Sequence, residues 1–231
     1  MPVAAIGFDI DHTLAVDNAL ERVAFLRLLA HIDRDGGRLL GTLDEESRAI
    51  DDLLHRQRAG ACTIDEAVYG FVRERGIENA QSFAQEFRET ALSLVDDIVV
   101  PLPGVERLVG ALDKAGIATA VLSNGWSPLQ ERKARRAGFP GRVLASDDIG
   151  AAKPSAAAFA ALVRALGTAA YDTWYVGDDP RNDMQGAREA GLRCAWFNAC
   201  GDRYPADLAP PDARVASLEE ILALVREPAV R

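Results

Sequence analysis

Short apolar runs recur along this chain, and each is followed first by polar residues and then by a helical stretch. The runs are VAAIGF (3–8), IATAVL (117–122), DTWYV (172–176) and LRCAWF (192–197), with a shorter one, RVLAS (142–146). A brief continuous apolar run predicts a strand buried on both faces, as in a parallel sheet. Between the runs lie amphipathic stretches at 104–115, 127–137, 155–167 and 182–190. Gly116, Gly138, Gly167 and Gly191 stand where these helices should stop, which suits a C-terminal cap. Strand alternating with helix predicts an α/β fold: a Rossmann-like parallel sheet flanked by helices.

Residues 17–97 have a different texture. NALERVAFLRLLAHI, LDEESRAIDDLLHRQ, TIDEAVYGFVRERG and AQSFAQEFRETALSLV all place apolar residues at helical spacing. Breaks fall at DGG (35–37), AGAC (59–62) and GIEN (76–79), so about four helices and no strand are expected. The expected organisation is an α/β core from residues 1–15 and 101–231, with an all-helical cap domain at 16–100. An insertion straight after the first strand would sit over the C-terminal edge of the sheet, where open α/β folds bind ligands. VVPLPG (99–104) reads as a stiff return hinge, and the tail REPAVR as frayed.

The 231 residues carry a net charge of -9, which argues against a general binder of nucleic acid or anionic membrane, since both are polyanions. No apolar run is long enough to span a bilayer. Cys62, Cys194 and Cys200 fit neither a disulfide framework nor a CxxC zinc site, and MPVAAIGFDID reaches acid too early for a secretory signal. A cytoplasmic location is expected, whereas the oligomeric state is silent in the sequence.

Chemistry-bearing residues gather where the predicted strands end: Asp9, Asp11 and Thr13; Ser123 and Asn124; Asp178, Asp179 and Asp183. Lys153 follows the shorter run, just before a helix. Strands running parallel deliver all of these to one edge. Asp9, Asp11, Asp178 and Asp183 brought that close repel unless a cation intervenes. A few carboxylates with no softer donor suit Mg²⁺. With a fixed lysine charge, hydroxyl donors and turn N–H groups added, the set suits a phosphoryl group.

DxDxT at 9–13, Ser123 after an apolar strand, Lys153-Pro154, and GDDxxxD at 177–183 resemble, in order, the four signatures of the haloacid dehalogenase-like superfamily. VGDDPRNDMQGAREAG resembles its phosphatase branch, with a helical cap inserted after the first motif. The resemblance covers residues 4–14 and about 100–200, and the segment between matches only in position and helical character. It implies that Asp9 attacks phosphorus to form an aspartyl-phosphate, and that Asp11 protonates the leaving oxygen and later takes a proton from water. It further implies Mg²⁺ on the Asp9 carboxylate, the Asp11 main-chain carbonyl and the Asp178 carboxylate. Asp183 would orient a metal-bound water, and Asp179 would pair with Lys153. Thr13, Ser123, the Asn124 N–H and Lys153 would hold the phosphoryl oxygens.

The implied function is a Mg²⁺-dependent phosphomonoester phosphatase for a small soluble phosphorylated metabolite. Alternatives are a sugar-phosphate mutase or a dehalogenase of the same family, the latter disfavoured by Asp11, and a non-catalytic phospho-receiver or interaction module. A phospho-receiver carries its aspartate after a later strand. Elsewhere, His12 reads as a solvated turn residue, His31 and His55 as helix-surface residues, and Arg56 and Arg58 as a solvated helix end.

Overall fold

The computed structural model describes residues 3–226. In chain order the elements are β1 (Ala5–Phe8), β2 (Ala15–Val16), α1 (Leu20–Arg34), α2 (Leu43–Arg58), α3 (Ile64–Glu74), α4 (Gln81–Ile98), β3 (Val100–Pro101) and α5 (Val105–Lys114). There follow β4 (Ala118–Ser123), α6 (Leu129–Arg136), β5 (Arg142–Ala145), α7 (Ser146–Ile149), α8 (Ala156–Leu166), β6 (Thr173–Gly177), α9 (Gly186–Glu189), β7 (Arg193–Phe197), β8 (Ala213–Val215) and α10 (Leu218–Arg226).

Six strands form one parallel sheet in the order β5-β4-β1-β6-β7-β8. All five runs read as strands lie in it. Both faces are covered, and the period-2 alternation of strand side chains sorts them between two cores. Ile6, Phe8, Val121, Trp174, Val176, Ala195 and Phe197 face one cluster with α5, α6 and α10. Ala5, Ala120, Leu122, Tyr175, Cys194 and Trp196 face the other, with α8 and α9. At Gly7 a Cβ would lie 2.4 Å from Leu162 Cδ2, so the glycine is what lets α8 pack this closely on β1.

Four helices occupy residues 20–98, as the periodicity predicts. Two of them start at reciprocal capping boxes that the sequence carries as TxxE: Thr42 with Glu45, and Thr63 with Glu66. Phe25 is their aromatic centre, with ring centroids 5.1 Å from Phe71 and 4.4 Å from Phe87. Each such buried ring contributes roughly 1.5–3 kcal/mol relative to leaving it exposed. Glu46 and Arg75, both fully buried, form an ion pair within this segment.

The structure departs from expectation at three points. VVPLPG is more than a hinge: β3 pairs antiparallel with β2, so the chain enters and leaves the helical segment through a two-stranded ribbon. The sixth sheet strand, β8, has only three residues, too few for a periodic signal. The stretch at 182–190 is a π-helical turn over Pro180–Gln185 continued by the single-turn α9. The expected frayed tail beyond Arg226 lies outside the described residues.

Candidate active site

β1 sits at the centre of the sheet, between β4 and β6. The chain builds outward from β1 through β4 and β5, then returns across it to β6, β7 and β8. Such a reversal of strand order opens a crevice at the carboxyl ends of the strands. Phe8 stands in register with Val121 and Val176, so Asp9 leaves the sheet level with Leu122 and Gly177, and Ser123 and Asp178 follow one residue further on at the same edge. They line a cavity of about 170 Å³ together with Asp11, His12, Arg58, Asn124, Lys153, Asp179, Asn182 and Asp183.

Lys153 is the electrostatic centre. Its buried Nζ donates to Asp9 Oδ1 at 2.6 Å, to Asp183 Oδ1 at 2.7 Å and to the Tyr175 hydroxyl at 3.1 Å. The Tyr175 hydroxyl in turn donates to the Leu122 carbonyl at 2.8 Å. Asn124 fixes the lysine from its backbone side: its Oδ1 accepts from Lys153 N at 2.8 Å and its Nδ2 donates to Lys153 O at 2.9 Å. Gly177 is required by close approach, because a Cβ there would lie 2.2 Å from Asp183 Oδ2.

Carboxylate oxygens of Asp9, Asp178 and Asp183 lie within 4.8 Å of one another. Burial, then the charges of Asp9 and Asp183, push the Asp178 carboxyl from its ordinary 3.8 up to about 8. Burial also raises Asp9, against the opposing charge of Lys153. The donor set is hard and all-oxygen, and its excess negative charge is incompletely met by one ammonium. It fits a small divalent cation such as Mg²⁺.

Asp11 faces a second buried lysine. Lys133 Nζ donates to Asp11 Oδ2 at 2.6 Å and to Asp17 Oδ2 at 3.2 Å. Burial alone would lower the Lys133 pKa, but Asp11 and then Asp17 hold it well above its ordinary value. Asp9 and Asp11 thus line one cavity while being anchored by different cations.

Several sequence assignments need revision. Asp179 does not pair with Lys153: its Oδ1 accepts from the N–H groups of Arg181 and Asn182, and its Oδ2 accepts from Asn182 Nδ2. It caps the π-helical turn, and Lys153 goes to Asp183 instead. Asp183 is itself one of the three clustered carboxylates, whereas the Asp11 carboxylate is turned to Lys133. Thr13 is fully buried, its Oγ1 has no hydrogen-bond partner among the described residues, and it does not line the cavity. Ser123 does line it, with its Oγ donating to Gln130 Oε1 at 3.3 Å. His12, in a left-handed turn with φ 59°, stands on the cavity wall. Arg58 is more than a solvated helix end: it reaches the cavity and lies 3.4 Å from Glu21. Arg56 lines a separate groove between α2 and α3.

Lys133, Asp17 and Glu21 escape sequence reasoning, although a signal exists. Lys133 shares a helical face with Leu129 and Ala137, both buried. Glu21 likewise shares one with Phe25 and Leu28.

Known proteins resemble this chain in sequence and in fold. Phosphoserine phosphatase of Thermus thermophilus is 34% identical over 169 residues, a stretch covering 72% of this chain and 63% of that enzyme. The chain thus spans less than two thirds of that relative. The 2-haloacid dehalogenase of Pseudomonas syringae pv. Tomato superposes with a TM-score of 0.74 at 26% identity, covering 96% of this chain and 98% of that one. The magnesium-bound form of YfnB from Bacillus subtilis superposes with a TM-score of 0.69 at 22% identity, covering 98% of this chain and all of that one, a likeness of fold. The model of haloacid dehalogenase-like hydrolases matches residues 3–191, a span that contains every carboxylate of the cavity, and the chain belongs to that family.

Proposed function

We propose that the protein is a Mg²⁺-dependent phosphatase that hydrolyses a small phosphomonoester through an aspartyl-phosphate. The supporting observation is the cavity wall, which carries Asp11 and Asp178 beside Asp9, Asp183 and Lys153. A dehalogenase needs a carboxylate nucleophile but neither a second acid for proton transfer nor a metal-sized acidic cluster. Phosphoryl transfer uses both.

An Asp9 carboxylate oxygen attacks phosphorus as the ester P–O bond breaks, and Asp11 gives its proton to the departing oxygen. Asp11 then takes a proton from water as the water oxygen attacks phosphorus, freeing inorganic phosphate and the Asp9 carboxylate. Lys153, the Ser123 hydroxyl and the Asn124 N–H hold the phosphoryl oxygens. Asp9, Asp178 and Asp183 are the carboxylates to hold Mg²⁺, together with the Asp11 main-chain carbonyl. When bound, the ion supplies positive charge that offsets both the acidic cluster and the phosphoryl group. Residues 16–100 act as a cap, bringing Arg58 to the cavity wall. Three free cysteines favour the cytoplasm, and no helix among the described residues is long and apolar enough to cross a membrane.

The test is a phosphate-release screen across nucleotides, sugar phosphates, phosphoglycolate and phosphoserine, with Mg²⁺ and with chelator. Release that depends on Mg²⁺ is expected. Halide release from 2-haloacids without metal, and no phosphate release, would contradict the proposal.

A pH dependence follows from Asp178. An acid titrating near 8 when folded and near 3.8 when unfolded binds its proton more tightly in the folded state. Its contribution to stability is full below pH about 4 and is lost as the pH rises towards 8. Mg²⁺ binds the ionised carboxylate and reverses that loss. The rise in melting temperature on adding Mg²⁺ is therefore expected to be larger at pH 8 than at pH 6. A rise that shrinks over this interval would remove Asp178 from the metal site.

A further inference from the structure

Lys133 belongs to none of the four motifs, yet it is 1% exposed. A lysine is almost never so buried unless paired. Its ammonium donates to Asp11 Oδ2 at 2.6 Å and lies 2.5 Å from Asp11 Oδ1, which is buried and accepts no hydrogen bond among the described residues. On its other side it meets Asp17 Oδ2 at 3.2 Å. Asp17 is itself fixed, accepting from Ala19 N at 3.1 Å. Next to it Glu21, 2% exposed, accepts from Trp126 Nε1 at 2.9 Å and from Arg58 at 3.4 Å.

We propose that Lys133 is a positioning residue for Asp11: it fixes the plane of the Asp11 carboxylate against the cavity, with Asp17 as the anchor behind it. Asp11 is partly exposed, and without Lys133 its carboxylate would be free to rotate towards solvent. Stability alone does not require a lysine here, since a buried ion pair is often matched by apolar residues of similar volume. Proton transfer does require orientation, because catalytic reach is lost over small displacements. The proposal rests on Asp11 being the proton-transferring group.

The decisive experiment is Lys133→Met alone, in an Asp11→Asn background, and as Lys133→Met/Asp17→Asn. The last variant removes one charge of each sign and serves where the single variant does not fold. Each is assayed on an alkyl phosphomonoester, whose leaving oxygen needs a proton, and on 4-nitrophenyl phosphate, whose leaving group does not. Turnover of the alkyl ester is expected to fall roughly 10²-fold, the low end of general acid–base contributions, with KM little changed. The nitrophenolate burst should keep its rate within about fivefold, since nucleophilic attack by Asp9 needs no proton from Asp11. In the Asp11→Asn background the loss should disappear, because residues acting as a unit are not additive. Equal losses on both substrates, or a full loss that persists in the Asp11→Asn background, would assign Lys133 a purely structural role. An unchanged alkyl rate would overturn the proposal outright. Failure of Asp9→Asn to stop phosphate release is the separate result that would sink the phosphatase reading itself.

Discussion

Asp9→Asn is expected to abolish phosphate release and to leave no covalent phosphoryl-enzyme, because an amide is not a competent nucleophile for phosphorus. The variant should stay folded. Asn is isosteric with Asp, its amide oxygen can still accept from Lys153, and Lys153 retains its 2.7 Å bond to Asp183. Asp11→Asn should be severe in a different way. Its nucleophile survives, so a substrate with a good leaving group still phosphorylates Asp9, and a burst of leaving group then precedes slow release of phosphate. The loss of proton transfer should cost roughly 10²–10⁴-fold. Rapid-quench kinetics on the two variants separates them. Matching behaviour, with a burst in both or in neither, would contradict the division of roles between the two carboxylates.

Lys153→Met should cost both activity and stability. The ammonium lies within 2.7 Å of Asp9 and of Asp183, whose side chains are 9% and 1% exposed. Removing it leaves two buried carboxylates without their cation, and breaking a buried pair on one side costs about 3–5 kcal/mol. The loss should be largest in chelator and smaller with Mg²⁺, which would supply positive charge to the same acidic cluster. Removing a preorganised charge from the phosphoryl site should also lower turnover by on the order of 10²–10³-fold. Chemical denaturation with and without Mg²⁺, alongside the activity assay, measures both. A destabilisation under about 1 kcal/mol in chelator would show that Lys153 does not carry the charge balance of the cavity.

How much of this was legible in the sequence depends on where each residue stands. Asp9, Ser123, Lys153 and Asp178 are readable because each follows a strand or begins a helix at one edge, and parallel strands bring those ends together. The helices of residues 20–98 are readable because they combine apolar periodicity with breaks at glycine. Lys133 is not, because LQERKARR presents its charge beside three arginines and a glutamate, a composition that reads as a solvated helix. Its one sequence signal is a helical face shared with the apolar Leu129 and Ala137. Arg58 is hidden for the same reason, at a charged helix end whose direction depends on how α1 and α2 pack. The choice between Asp179 and Asp183 turns on the winding of a π-helical turn. That winding sends Asp179 to backbone N–H groups and Asp183 to Lys153, and two acids four residues apart in GDDxxxD carry no signal of it. β2, β3 and β8 are too short for any period to emerge.

In the proposed reaction Asp9 carries the phosphoryl group in transit. Acid quench of the enzyme during turnover of a phosphomonoester, followed by proteolysis and phosphopeptide mapping by mass spectrometry, tests it most directly. One labile phosphoryl adduct is expected on the peptide containing Asp9, absent from Asp9→Asn and accumulating in Asp11→Asn. A phosphoryl group on Ser123, or turnover through Asp9→Asn at near the parent rate, would contradict it.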